Sequence, residues 1–277
     1  MQAKDITMND KPRFRRFPDA EEDVRAWHQV PDTPQTRSPT YRLAFDDLDF
    51  LKRDELRPVR LQLELLKTEM VLTEREITST VVMFGGARIP SPGSPAGKAG
   101  LDKLAPYYVQ AKEFARLMTV RSVTSGNREN VICTGGGPGV MEAGNRGAAE
   151  AGGTSIGLNI VLPHEQAPNG WVTPELAFNF HYFAIRKMHF LMRARAITIF
   201  PGGFGTLDEM FESLTLIQTQ RMNPIPILLF GREFWETVIN WDALAEAGTI
   251  SPEDLNLFRY VETADEAVEW IDNWPVA

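Results

Sequence analysis

Ala196-Ile197-Thr198-Ile199-Phe200-Pro201-Gly202-Gly203-Phe204-Gly205-Thr206-Leu207-Asp208-Glu209-Met210-Phe211-Glu212 reads as an apolar strand that ends in glycines and turns at once into a helix. Gly202, Gly203 and Gly205 let backbone N–H groups approach a ligand, and the helix N-terminus adds its partial positive charge. That combination suits a phosphate. Glu209 and Glu212 follow within two turns, close enough to act on whatever the phosphate is attached to.

Two more strand ends share the pattern. Val131-Ile132-Cys133-Thr134 runs into Gly135-Gly136-Gly137-Pro138-Gly139, and Thr80-Val81-Val82-Met83-Phe84 runs into Gly85-Gly86-Ala87-Arg88. In an open parallel sheet, ligands sit outside the carboxyl ends of the strands, where such loops gather. Pro138 suits the first turn of the following helix, and Gly152-Gly153 its end.

Outward from these motifs, strands are expected at 80–84, 130–134, 154–160, 177–182, 196–200, 225–230 and 257–261. Helices are expected at 101–119, 138–151, 184–194, 206–220, 232–246 and 264–273. Alternation of this kind predicts an α/β fold with a Rossmann-like, doubly wound, mostly parallel sheet covered on both faces. Residues 161–176, rich in proline and containing Asn169-Gly170, are expected to form a long functional loop. Residues 1–40, rich in proline and charge, read as a mobile arm. Residues 41–76 turn helical through Leu61, Leu65, Leu66, Met70 and Leu72 and read as an N-terminal helical extension capping a nucleotide-binding domain at 77–277.

Composition narrows the function. The 277 residues have 43% apolar content, enough for a sizeable core, and a net charge of −8, which argues against nucleic acid or an anionic membrane as partner. No apolar run reaches membrane-spanning length, and residues around Lys4, Asp5, Asp10 and Lys11 lack the apolar core of a signal peptide. One cysteine, Cys133, precludes an internal disulfide, and the four histidines lack metal-site spacing. A cytoplasmic protein without a metal is expected.

Two nucleotide motifs fail. After Gly135 and Gly137 the dinucleotide fingerprint needs glycine at 140, where Val140 stands. In the P-loop-like stretch 91–99, Gly93 lies one residue too close to Gly97, and Ala99 replaces the metal-binding hydroxyl. Thr206 and Glu209 have a purely structural reading as a capping box. Against it, Glu209 and Glu212 share a helix face at the glycine mouth, where two carboxylates raise each other's pKa or hold a cation or water. Arg186 and Lys187 sit early in an apolar helix and either snorkel to solvent or bring a cation to the mouth of the sheet. Glu142 and Asn145 face either ligand or solvent.

The motifs Gly135–Ala143, Arg186-Lys187 and Pro201–Glu209 together resemble the LONELY GUY (LOG) family of nucleoside 5′-monophosphate phosphoribohydrolases, often labelled lysine decarboxylase-like. The resemblance covers roughly residues 80–240. It implies a homodimer or larger assembly, Arg186 and Glu209 as the catalytic pair, and Gly202, Gly203, Gly205 and Thr206 as the phosphate loop. The Gly135–Gly139 loop (Gly135, Gly136, Gly137, Gly139) completes the nucleotide pocket, and Gly86, Glu142, Lys187 and Glu212 are further binding candidates. Relative to the short members, Phe190 replaces a methionine, Arg195 an acid and Ala87 a serine.

The implied reaction cleaves the N-glycosidic bond of AMP or an N6-modified AMP, of the cytokinin riboside monophosphate type, to free base and ribose 5-phosphate. Its oxocarbenium-like transition state resembles that of glycoside hydrolysis and requires no organic cofactor. The decarboxylase label would need pyridoxal phosphate and a Schiff-base lysine, and nothing marks Lys187 as one. The rival expectation is a non-catalytic nucleotide sensor or molybdenum-cofactor carrier on the same scaffold.

Overall fold

A computed structural model describes residues 17–94, 99–163 and 167–275. The chain divides into two compact units, Met1–Arg60 and Leu61–Ala277. In the first, α1 (Ala20–Trp27) forms within the stretch read as an arm. A capping box between Asp19 and Glu22 starts it, and none of its residues is buried. The expectation of an arm over 1–16 lies outside the described residues. A short α2 (Leu48–Leu51) follows, and α3 (Arg57–Glu74) runs across the division.

The second unit alternates as expected. In chain order it contains β1 (Thr80–Phe84), α4 (Ala99–Asp102), α5 (Ala105–Thr124), β2 (Val131–Thr134), α6 (Val140–Glu150), β3 (Ser155–Ile160) and β4 (Ala177–Phe180). Then come α7 (Phe183–Met192), β5 (Ala194–Ile199), α8 (Phe204–Gln218), β6 (Ile227–Phe230), α9 (Arg232–Val238), α10 (Trp241–Glu246), β7 (Arg259–Val261) and α11 (Ala264–Asp272). The seven strands form one sheet in the order β4-β3-β2-β1-β5-β6-β7, and every pairing is parallel. Successive strands add outward from β1 on one side and from β5 on the other. The winding therefore reverses between β1 and β5, where a doubly wound sheet opens a crevice at its carboxyl edge.

Strand β1 shows why both faces are covered. All five of its residues are buried. Val82 and Phe84 join one core with Cys133, Ile197, Ile199, Met210 and Trp235, while Val81 and Met83 join another with Phe114, Met118, Ala143, Phe200 and Phe230. Successive side chains of a strand point to opposite faces, so a run of consecutive apolar residues serves two cores at once.

Several boundaries differ from expectation for local reasons. The helix expected at 101–119 is two, because Pro106 fits only the first turn of a new helix, α5. The helix expected at 232–246 also breaks, where Ile239 is extended and the Asn240 side chain accepts from the N–H of Ala243 to start α10. Pro138 precedes α6 rather than opening it. Gly139 is the N-cap at φ 68°, a conformation from which L-residues are sterically discouraged. Helix α8 begins at Phe204, two residues early.

Helices α5 and α6 approach closely at Gly147. A Cβ there would strike the carbonyl oxygen of Lys112 and come within 3.0 Å of Ala115 Cβ. Gly147→Ala gains roughly 1 kcal/mol of helix propensity but overpacks this contact at a cost of about 1–3 kcal/mol. Thermal melting should show net destabilisation, whereas Gly100→Ala in α4, with open space around it, should be neutral or slightly stabilising.

Candidate functional site

Three glycine loops converge at the carboxyl edge of the sheet and are bonded to one another through their backbones. The N–H of Gly86 donates to the Pro201 carbonyl (2.9 Å), and the N–H of Val140 donates to the Gly86 carbonyl (3.3 Å). A Cβ on Gly139 would run into the backbone of Gly86 and Ala87. Beside this junction lies a cavity of about 1320 Å³. Gly85–Ile89, Gly135, Gly137, Asn159, Arg186 and Pro201–Glu209 line one part of it. An apolar wall that includes Leu101, Leu162, Phe178, Phe183 and Phe234 lines the rest.

The N-terminus of α8 opens into this cavity. Its N-cap is Gly203, and no side chain caps it. A Cβ on Gly203 or Gly205 would meet nothing within 4 Å, so the first turn of backbone donors is accessible. The capping box expected of Thr206 and Glu209 does not form. Because α8 starts at Phe204, Thr206 already lies inside the first turn and Glu209 in the second. Both are nevertheless buried, at 7% and 8% exposure, and both line the cavity. A side chain on Gly202 would occupy the space of Thr206, so the Pro201-Gly202 step is what admits the hydroxyl.

Arg186 enters from α7. Its Nε donates to the Leu158 carbonyl at 2.6 Å, and its guanidinium lies 5.1 Å from the centre of the Phe190 ring. A Cβ on Gly135 would sit 2.6 Å from Nη2, so the first glycine of the triple-glycine loop makes room for this arginine. Phe190 thus gives the cation an aromatic face. Arg195 is engaged elsewhere, donating to Asn130 Oδ1 at 2.9 Å.

Not every expected residue reaches the cavity wall. Gly136, Gly139, Glu142, Lys187 and Glu212 lie outside the lining, unlike Gly86, Gly135, Gly137, Arg186, Gly202, Gly203, Gly205, Thr206 and Glu209. Glu142 accepts a bond from the Tyr108 hydroxyl (2.9 Å). Lys187 Nζ stands 2.9 Å from Asp208 and 2.8 Å from Glu212. Asn145 faces neither ligand nor solvent. It is buried, accepts from Thr134 Oγ1 (2.8 Å) and from Asn169 Nδ2 (2.9 Å), and donates to Ser155 Oγ (3.0 Å). Asn169 Nδ2 also donates to the carbonyls of Gly136 and Gly137. Asn169 thus pins the triple-glycine loop from the long loop of 161–176, and only the Asn169-Gly170 pair in an aperiodic stretch hinted at it.

Burial dominates the electrostatics. It pushes the Glu209 carboxyl up from 4.5 to about 7, against the pull of Lys187 and Arg186 and with added repulsion from Glu212 and Asp208. Burial alone would lower Lys187, but Glu212 and Asp208 more than compensate and hold its ammonium above the ordinary value. Burial also drives the Cys133 thiol far up, so it stays protonated. Among the described residues, no helix is long and apolar enough to cross a membrane.

Residues 141–271 match the model of a family described as possible lysine decarboxylase. That match, to a LOG-like domain model, spans the segment carrying Arg186-Lys187 and Pro201–Glu209. No curated protein matches the chain. Among solved structures it is similar to TM1055, a structural-genomics target, at 21% identity over 70% of this chain and 98% of that one, with a TM-score of 0.47. It is also similar to the molybdenum cofactor binding protein of the phototrophic bacterium Rippkaea orientalis (18% identity, 70% and 96% covered, TM-score 0.46). A third is the Moco carrier protein of Chlamydomonas reinhardtii (17%, 70% and 96%, 0.39).

The raised Glu209 pKa has a thermodynamic consequence. A carboxyl whose folded-state pKa lies above its ordinary value favours folding while neutral. That contribution is intact below pH 4.5 and is lost as the pH rises to about 7. Above pH 7 the buried charge costs about 3 kcal/mol relative to a neutral isostere. Glu209→Gln should therefore melt like the wild type near pH 4.5 and about 6–12 °C higher at pH 8. A difference that does not vary with pH would mean that Glu209 is not desolvated.

Proposed function

We propose that the cavity binds a nucleoside 5′-monophosphate and that the protein hydrolyses its N-glycosidic bond, with AMP or an N6-modified AMP as substrate. The observation that carries this reading is the meeting of Arg186 and Glu209 in one cavity, beside an uncapped helix N-terminus. The backbone donors of Gly203–Thr206 and the Thr206 hydroxyl suit the 5′-phosphate. Ionised Glu209 stabilises positive charge as the bond between C1′ and the base nitrogen breaks, with the electron pair leaving on the base. Water then adds its hydroxyl to C1′, directed by Glu209, and its proton balances the departing base. Arg186, held by the Leu158 carbonyl and the Phe190 ring, keeps ribose and base in register. The chain's own carboxylate and guanidinium supply this chemistry. We place the reaction in the cytoplasm, consistent with the single buried cysteine, and in a homodimer or larger assembly.

Release of free base from AMP, GMP, CMP and isopentenyladenosine monophosphate tests the reading. The wild type should release base and ribose 5-phosphate, and Glu209→Gln and Arg186→Ala should each lower kcat by roughly 10²–10³. Because the carboxylate must be charged, kcat/KM should climb with pH and level off above about 7. Tight nucleotide binding with no base release by the wild type would instead assign the cavity to a carrier or sensor.

A further inference from the structure

Lys187 follows Arg186 on α7 but does not line the cavity. Its side chain is only 16% exposed, and its ammonium is shared between Asp208 at 2.9 Å and Glu212 at 2.8 Å. Those two carboxylates lie one residue before and three after Glu209, four apart and so on one stripe of α8. A single cation thus bridges α7 to α8 within the turns that present Arg186 and Glu209. Exposed ion pairs contribute little, but this lysine is largely withdrawn from water and gathers two acids.

The charge around Glu209 makes the arrangement consequential. From α7 it feels Arg186 and Lys187, which favour its carboxylate; from its own helix it feels Glu212 and Asp208, which oppose it. Without Lys187, three carboxylates would share this corner with Arg186 alone.

We propose that Lys187 is a positioning residue of the hydrolytic site: it ties the Arg186 helix to the Glu209 helix and offsets the negative charge of Asp208 and Glu212. The assignment rests on the nucleosidase reading above. Lys187 acts through Glu209 and does not hold the substrate phosphate.

The test uses the full chain with Lys187→Met and Lys187→Arg, each with and without Glu209→Gln. With AMP as substrate, Lys187→Met should move the acidic limb of kcat/KM up by about one pH unit, as expected for losing one close opposite charge. The rate at pH 7 then falls about fivefold, with KM at high pH within twofold of the wild type. Lys187→Arg, which keeps the charge, should leave the limb in place. A second readout needs no substrate. The melting difference between a protein and its Glu209→Gln counterpart should level off near pH 8 rather than 7 when Lys187 is methionine. Should Lys187→Met fail to fold, Glu212→Gln removes a negative charge and should move limb and plateau down. An unmoved limb and plateau, or a raised KM with an unmoved limb, overturns the proposal. If the wild type releases no base, the nucleosidase reading falls, and the melting plateau alone then decides whether Lys187 governs the charge of Glu209.

Discussion

Close approach of backbones without side chains between them is the constraint on which the site depends. The loops after β1, β2 and β5 meet through the bonds from Gly86 to Pro201 and from Val140 to Gly86. Side chains at Gly85 or Gly139 would drive them apart, since a Cβ on Gly85 would lie within 2.8 Å of three Val140 atoms. The sheet order places β1 beside both β2 and β5, so its loop is the common neighbour of the other two. Around these loops the space a side chain would take is used by others: Arg186 and Met141 above Gly135, Asn159 above Gly136 and Thr206 above Gly202. The glycines therefore shape the cavity in two ways, by exposing backbone donors and by leaving room for the side chains that accompany them.

The second constraint is the burial of charge. Glu209 is held at 8% exposure, where its ionised form is disfavoured. Only the neighbouring cations make ionisation near neutral pH feasible, and those cations are themselves fixed. Arg186 is held by a carbonyl and a ring, and Lys187 by two acids. A carboxylate poised in this way is sensitive to small changes around it, which is useful for proton handling and unfavourable for stability.

Much of the architecture was legible because its signals are local. Seven apolar runs became seven parallel strands, and the glycine clusters after those that became β1, β2 and β5 marked the cavity. What was misplaced depended on longer-range facts. Thr206 and Glu209 carry the spacing of a capping box, yet β5 ends at Ile199 and α8 starts at Phe204, so packing against the sheet decided their place. Lys187 and Glu212 are in reach of the glycine mouth by sequence, but each finds the other first. Asn145 and Asn169 are 24 residues apart and meet only because β3 returns the chain alongside β2. No spacing rule encodes that contact.

The same logic extends to the segment preceding the sheet. From Leu61 onward α3 belongs to the unit that contains the cavity, and its acids hold both ends of α7. The Glu64 carboxylate accepts the N–H groups of His181 and Tyr182, at 2.8 and 3.2 Å, at the N-terminus of α7. These donors belong to the start of a helix whose first turn has no side-chain cap of its own, and a carboxylate there also complements the helix dipole. At the other end, Glu69 pairs with Arg193 and approaches His189 at 3.3 Å. Burial lowers the pKa of that imidazole, which keeps it neutral in the apolar interior. Helix α7 is thereby held at its two ends by α3 and in the middle by the bridge from Lys187 to α8. Arg186 hangs from a helix braced at three points, so its geometry is set as much by residues before the first strand as by the glycine loops it faces.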